Sequence, residues 1–103
     1  MTAELTVIRW RDIPAQVVAR SGRERAGVQL SDRFQEAIDT AATRIGLIGT
    51  DDYLAEWRRD SRPCGDDLEA EAQAEATRLE SAFGPNELEV LAASGGVGGA
   101  GPA

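Results

Sequence analysis

The chain has 103 residues, which is enough for one small hydrophobic core and too few for a second. It contains no His and no Lys, so it lacks the usual general base near neutral pH, the commonest metal ligand and the amine of Schiff bases and phosphate loops. Its single Cys excludes an internal disulfide and any site with several thiolate ligands.

Charge is distributed unevenly. The 11 basic residues, all Arg, face 18 acidic ones, giving a net charge of −7. Residues 1–50 carry a net +1 and residues 51–103 a net −8, which predicts a local basic patch in the first half and a solvated acidic surface in the second. The overall charge argues against nucleic-acid binding. No apolar run is long enough for a membrane span, and the N-terminus has no secretory profile, so we expect a cytoplasmic protein without membrane contact.

The N-terminal segments are rich in β-branched residues. Segments 4–11 and 15–21 predict a β-hairpin with a non-tight or bulged connection around Pro14. The Gly-punctuated stretch 20–27 predicts a loop. Because a lone hairpin is barely stable in water, either a third strand over 26–30 or pairing of a sheet edge with a partner, including a second copy, is expected.

The strongest helical pattern spans residues 31–46. Its apolar positions repeat with helical spacing and form one face. These positions are Phe34, Ala37, Ile38, Ala41, Ala42 and Ile45. Ser31 suits the N-terminal cap, and Gly46 suits a left-handed exit.

Three further helical segments follow. A second, shorter helix is predicted to begin at Thr50 and to end before Pro63, with Tyr53 and Trp57 packed on one side. A third begins at Asp66 or Asp67 and stops at 84–85, and a last short helix carries Leu88 and Leu91. We therefore predict an α+β fold of two layers, in which the hairpin packs against three to four helices. The domain spans residues 1–93, and residues 94–103 form a disordered Gly-rich tail.

Arginines near the N-terminus are the first candidate site. Alternation along the first strand would place Arg9 and Arg11 on one face, and hairpin pairing could bring Arg20 close to them; Arg23 and Arg25 lie nearby in the sequence. Such a patch would bind phosphate or carboxylate groups. The alternative is that these are solvated strand positions that protect the sheet edge or pair with the chain's own acidic helix.

Trp10, Arg11 and Asp12 are adjacent, and Trp and Arg are enriched at interface hot spots. The predicted interaction surface is therefore Arg9, Trp10, Arg11, Asp12 and Arg20. The competing interpretation is that Trp10 closes the hairpin core and Asp12 stabilises the turn.

Two other groups offer weaker candidates. The acidic run 66–75 could hold a cation or act as an acid–base pair, but its spacing favours a solvated helix face. Cys64 precedes a helix N-terminus, where a thiol pKa can fall, but no His is present to act as its base. We therefore expect no catalytic residue, no metal and no cofactor.

The run 5–17, with the segments 30–39, 50–58 and 67–72, resembles a small bacterial family labelled "virulence factor". The resemblance covers residues 3–93, and the Trp-Arg-Asp-Ile-Pro-Ala-Gln run is its most specific part. The label describes no chemistry and brings no catalytic residues. Members are often encoded near corrinoid and folate one-carbon enzymes, which implies an accessory role in methyl transfer. The Gly-rich end and Cys64 depart from the family pattern.

The leading hypothesis from the sequence is a non-catalytic binding or adaptor module. It would dock through the hairpin on a larger protein, of which a corrinoid methyl-transfer enzyme is one candidate, and could form a homodimer through a sheet edge. The alternative is a small anionic-ligand or cofactor binder that uses Arg9, Arg11 and Arg20.

Overall fold

The structure is a computed structural model that describes residues 3–97. In chain order its elements are β1 (Ala3–Trp10), β2 (Ile13–Ser21), β3 (Glu24–Gln29), α1 (Asp32–Arg44), α2 (Asp51–Ala55), β4 (Trp57–Cys64), α3 (Leu68–Ala82) and α4 (Pro85–Ala93). The four strands form one antiparallel sheet in the order β3-β2-β1-β4. The predicted α+β class is confirmed. None of the helices within the described part combines the length and hydropathy needed to cross a bilayer.

The predicted hairpin is formed by β1 and β2. Its register shifts after Ile8, which pairs with Gln16, whereas Arg9 pairs with Pro14, so Ala15 is the extra residue of a bulge. The turn itself is tight, because only Arg11 and Asp12 separate the two strands. Arg11 adopts a left-handed backbone conformation (φ 53°), which a two-residue hairpin turn commonly requires. Of the two predicted forms of the connection, non-tight or bulged, the structure has the bulged one.

The third strand is confirmed, but the loop predicted over 20–27 is wrong except at residues 22 and 23. The chain reverses at Gly22 and Arg23, and β3 begins at Glu24. Gly22 supplies the positive φ (60°) that lets a two-residue turn close. Because the turn is so short, the polar residues that follow it lie in register with β2 and form the third strand, β3.

The largest correction concerns residues 56–64. The second helix stops at Ala55, and the chain then enters β4, which pairs along the whole of β1 from Trp10 opposite Trp57 to Ala3 opposite Cys64. Six of the eight residues of β4 are exposed. This pairing gives hydrogen-bond partners to the edge of β1 that β2 leaves unpaired. Pro63 is tolerated because β4 is itself an edge strand.

The helices cover one face of the sheet. α3 lies across β2 and β3, while α1 packs against α4 and the start of β2. Pleat alternation directs the buried side chains of β1 and β2 toward α3. These side chains are Ala3, Leu5, Val7, Val17 and Ala19. The predicted α1 face is buried as expected, except that Ile45 remains 38% exposed.

Glu75 of α3 is the one charged side chain that is buried among the described residues, with 5% exposure. Arg78 donates to both of its oxygens at 3.0 and 2.6 Å, and Arg62 of β4 donates at 3.1 Å. These bonds hold the pKa of Glu75 below its usual range, with the Arg78 hydrogen bond as the largest cause. The buried carboxylate therefore ties the edge strand β4 to the helical layer.

The folded part of the chain extends past the predicted boundary at residue 93. Gly95 and Gly96 are buried, and the Asp12 amide donates to the Gly96 carbonyl at 2.9 Å. Segment 94–97 thus packs against the hairpin turn, because glycines with positive φ let the backbone reach Trp10 closely. Of the predicted tail, residues 98–103 lie outside the described residues.

Candidate docking surface

The predicted cluster of Arg9, Arg11 and Arg20 does not form. Arg20 pairs with Glu4, which lies five residues before Arg9 along β1, so the two arginines are about 17 Å apart at strand spacing. Arg9 and Arg11 do not share a face either, since Arg11 lies in the turn and no longer follows the alternation of the strand.

Arg11 is fully engaged within the fold. Its Nε donates to Glu56 Oε1 at 3.0 Å, and its Nη1 donates to the Gly95 carbonyl at 3.2 Å. Its guanidinium carbon lies 5.4 Å from the centre of the Trp10 ring. Arg11 therefore joins the hairpin turn to the end of α2 and to segment 94–97, a positioning role rather than a contact role.

Trp10 is not an exposed anchor, because its exposure is 0%. Its Nε1 donates to the Tyr53 carbonyl at 2.9 Å, and its ring centre lies 5.6 Å from that of Tyr53. Tyr53 in turn contacts Trp57 edge-on at 6.2 Å, so the expected side-by-side packing of these two aromatic residues is present. The prediction of Trp10 as a surface contact is corrected in favour of the hairpin-core interpretation.

Asp12 and Arg9 are also held by neighbours. Asp12 Oδ1 accepts a hydrogen bond from Arg58 Nη2 at 3.0 Å. Arg9 Nε lies 2.8 Å from Asp60 Oδ2, in an orientation that makes an ion pair without a hydrogen bond. Of the five residues of the predicted surface, only Arg20 is exposed.

Among residues 3–97, no helix packs over most of the face of the sheet that points away from α3. Register and pleat place three cross-strand rows on it. From β3 to β4 the rows are Gln29, Gln16, Ile8 and Arg59; Gly27, Val18, Thr6 and Ser61; and Arg25, Arg20, Glu4 and Pro63. We call these twelve residues the uncovered face. The Thr6 and Ser61 hydroxyls are hydrogen bonded across it at 2.8 Å.

Arginines without a partner collect on this face. Seven of the 11 arginines bind a carboxylate or a carbonyl. Four have no ion pair or hydrogen bond within residues 3–97, and all four are exposed: Arg20, Arg23, Arg25 and Arg59. Three belong to the uncovered face, and Arg23 lies in the turn beside it. Arg20 and Arg25 are direct cross-strand neighbours.

Two depressions border the sheet. One, of about 560 Å³, opens at the α1 end of the uncovered face. It is lined by Ile8, Ala15, Gln16, Gln29, Gln35, Trp57, Arg58 and Arg59. The other, which we call the α4 groove, measures about 430 Å³ and lies on the helical side. It is lined by Arg9, Asp12, Ala82, Phe83, Asn86, Glu87, Val90 and Leu91.

The acidic run begins with a helix cap, and Cys64 lies just before it. Within residues 3–97, His, Cys, Asp and Glu side chains form no group that could hold a metal ion. Asp67 caps α3 by accepting from the Ala70 amide at 3.2 Å, as cap residues do. Burial, followed by the charge of Glu71, raises the pKa of Cys64, which makes its thiol less reactive than a free one.

Arg59 lies on strand β4 of the uncovered face, whereas the sequence pattern predicts a helix at this position. Pro63 follows it by four residues and already argues against a continuing helix there. A second signal for a strand is the alternation of charged residues at Arg58, Asp60 and Arg62. In a strand these three side chains lie on one side, where each meets a partner of opposite charge.

A family model with the description "Virulence factor" matches residues 8–92. This span contains β2, β3, β4 and the first three helices whole, the last three residues of β1, and α4 up to Ala92. No curated protein matches the chain, and no solved structure does.

Proposed function

We propose that this chain, which belongs to the virulence factor family, is a non-catalytic adaptor of the cytoplasm that docks through its uncovered face on an acidic surface of a larger protein. The observation that carries the proposal is the position of the four arginines that have no partner among the described residues, three of them on that face and one beside it.

Charge complementarity is the first argument. The chain holds 18 carboxylate side chains, yet none pairs with Arg20, Arg25 or Arg59 within the described residues. Guanidinium groups form two parallel hydrogen bonds with a carboxylate, which gives a protein contact both strength and orientation. An acidic partner surface would therefore supply what the chain itself does not.

Rigidity is the second argument. The uncovered face belongs to four hydrogen-bonded strands, and the buried Val18, with 5% exposure, sits at its centre. The backbone of such a platform loses little freedom on binding, so the ordering cost is confined to the arginine side chains. The face therefore suits a preformed docking surface.

The size of the face sets the expected affinity. Four strands about 4.8 Å apart and six residues of about 3.3 Å each give a platform of roughly 300 Å². A standard interface buries about 800 Å² per partner. We therefore expect a weak, salt-sensitive complex unless neighbouring surface also contributes.

The test uses single substitutions that remove one positive charge each. Arg20→Gln and Arg59→Gln change the uncovered face, and Arg44→Gln is the control for the loss of one charge, since Arg44 lies on α1 and is exposed, although it also donates to the Ala93 carbonyl at 3.1 Å. Each variant and the wild type serve as bait in extract of the native host. Proteins kept by wild type and Arg44→Gln but lost by the other two are purified and titrated. The family resemblance makes a corrinoid methyl-transfer enzyme the partner to test first.

We expect the affinity of the purified partner to fall about tenfold for each face variant and less than about twofold for the control, as one charge-assisted contact implies. Equal losses for all three variants would contradict the proposal, because then only net charge matters. Tighter binding of a nucleic acid than of any protein would also contradict it. Trp10 and Arg11 are unsuitable test positions, since both stabilise the fold.

A further inference from the structure

We infer that the free edge of β3 pairs with the same edge of a second copy of this chain, antiparallel and with Gly27 on the two-fold axis. Such pairing would join two four-stranded sheets into one continuous sheet. It uses the edge of the sheet rather than the uncovered face, and nothing in the docking proposal depends on it.

The backbone of β3 has unpaired groups along its free edge. β3 lies at one end of the sheet order, so no other described strand pairs with its outer side. The two-residue turn makes Ser21 and Glu24 a hydrogen-bonded pair, and such pairs alternate along an antiparallel ladder. In agreement, the Leu30 amide points to β2 and donates to the Ala15 carbonyl at 3.1 Å. The residues whose N–H and C=O groups point outward are therefore Arg25, Gly27 and Gln29.

The opposite edge of the sheet is protected, and this one is not. β4 carries four charged residues and Pro63, which has no N–H to offer a further strand. Proline and charged side chains are the usual means by which proteins prevent the pairing of an edge strand. β3 has no proline and no bulge, and its two charged residues, Glu24 and Arg25, lie at one end. Residues 26–29 therefore form an uncharged edge that is open to pairing.

One antiparallel register brings the outward groups of two copies together without a contact between like charges. In this register Gly27 lies opposite itself on the axis, and Arg25 lies opposite Gln29 of the second copy. Each of the three outward pairs can exchange two backbone hydrogen bonds. A glycine at the axis suits this arrangement, because it lets two backbones approach closely.

The side chains favour the same register on both faces of the sheet. Arg25 and Gln29 have no hydrogen-bond partner within residues 3–97, and the Gln29 carboxamide oxygen can accept from the guanidinium of the other copy. On the helical side, Ala26 would lie opposite Val28 of the second copy. Both are partly buried against the core, so pairing would extend the apolar layer. Cross-strand pairs of these kinds stabilise sheets.

The contact is small, so we expect a weak dimer. A strand of six residues buries far less than the about 800 Å² per partner of a standard interface. Each chain also carries a net charge of −7, which opposes association at low ionic strength. Because the register contains no ion pair, added salt should strengthen the dimer, whereas it should weaken docking on an acidic partner.

The test measures the dimer dissociation constant of the full chain by sedimentation velocity, from micromolar to millimolar concentration. Gln29→Glu places a carboxylate opposite Arg25 of the second copy at two symmetric positions and should lower the constant about threefold or more. Gln29→Arg places like charges there and should raise it about threefold or more. Net charge alone predicts the reverse order, since the Glu variant is the more negative one. The order of the two constants is therefore specific to this register.

A pair of proline variants tests which edge is used. Gly27→Pro removes the outward N–H at the axis without removing a bond to β2, and it should abolish the dimer. Ser61→Pro is the matched control, because Ser61 faces outward on β4, two residues before Pro63, and it should leave the dimer unchanged. Far-UV circular dichroism checks that each variant folds, and the Gln29 variants decide the question even if Gly27→Pro does not.

Four results would overturn the inference. These are a wild-type chain that stays monomeric at millimolar concentration, a dimer that salt weakens, equal or reversed constants for the two Gln29 variants, and equal effects of the two proline variants when both are folded. Each of them leaves the docking proposal intact, because that proposal is tested by the affinity of a separate partner for Arg20→Gln and Arg59→Gln.

Discussion

The contact between segment 94–97 and Trp10 leads to a prediction about Gly96→Ala. Gly96 has a φ of 86°, and a Cβ at this position would lie 3.1 Å from Trp10 Cζ3 and 3.3 Å from Trp10 Cε3. Trp10 cannot move aside easily, because it is fully buried and its Nε1 is bonded to the Tyr53 carbonyl. We therefore expect this single methyl group to destabilise the fold.

The loss of stability in Gly96→Ala has two causes, the left-handed backbone and the contact with Trp10. Gly49→Ala measures the first cause alone. Gly49 has nearly the same φ (80°), but nothing lies within 4 Å of its Cβ position. Both variants pay about 1 kcal/mol for a left-handed alanine. Gly96→Ala adds an overpacking cost of about 1–3 kcal/mol, so its total is about 2–4 kcal/mol.

The free energy of unfolding is measured by urea denaturation, with tryptophan fluorescence as the signal. The prediction is that Gly96→Ala loses at least about 1 kcal/mol more than Gly49→Ala, against a total stability of about 5–15 kcal/mol for a domain. If the two variants are equally stable, segment 94–97 does not pack on Trp10 as described, and the extension of the folded part beyond residue 93 is refuted.

Two further predictions concern ionisable groups. Arg78 and Arg62 lower the pKa of Glu75, so its contribution to stability is complete above about pH 5 and is lost as pH falls through its native pKa. Glu75→Gln should therefore reduce the free energy of unfolding by about 1–3 kcal/mol at pH 7, and the gap to wild type should narrow toward pH 3 in urea titrations; a gap independent of pH would contradict this. For Cys64, whose pKa is raised by burial and then by Glu71, alkylation by iodoacetamide at neutral pH should be slower in the native chain than in urea, because less thiolate is present. Equal rates would show that the thiol is not shielded.

The hairpin and the main helices were predictable, because their apolar residues carry the pattern. In β1 and β2 the β-branched residues mark the strands, and in α1 the spacing from Phe34 to Ala42 marks the buried face. Such patterns arise wherever an element buries apolar side chains on one side only.

Strand β4 could not be recognised in that way. The positions that face the helical layer are Arg58, Asp60 and Arg62, which pair with Asp12, Arg9 and Glu75. Ion pairs replace apolar contacts along this strand, so the usual period of two in hydrophobicity is absent. The strand exists because β1 needs a second partner, which is a tertiary effect that local propensity does not report.

The candidate site was mislocated for the same reason. Arg9, Trp10 and Arg11 looked available because their partners, Asp60, Tyr53 and Glu56, are more than 40 residues distant in the sequence. Arg20 alone was placed correctly on a surface: its nearest acidic residues, Glu4 opposite it on β1 and Glu24 at the start of β3, form no ion pair with it.

The repulsion between two of these arginines is a further reason to propose that the uncovered face binds an acidic partner. Arg20 and Arg25 lie directly opposite each other, and like charges at such positions cost a few tenths of a kcal/mol or more. Glu4 lies opposite Arg20 on its other side but forms no ion pair with it. If the chain docks as proposed, an acidic partner surface would relieve this repulsion, so the pair would favour the docked state over the free one.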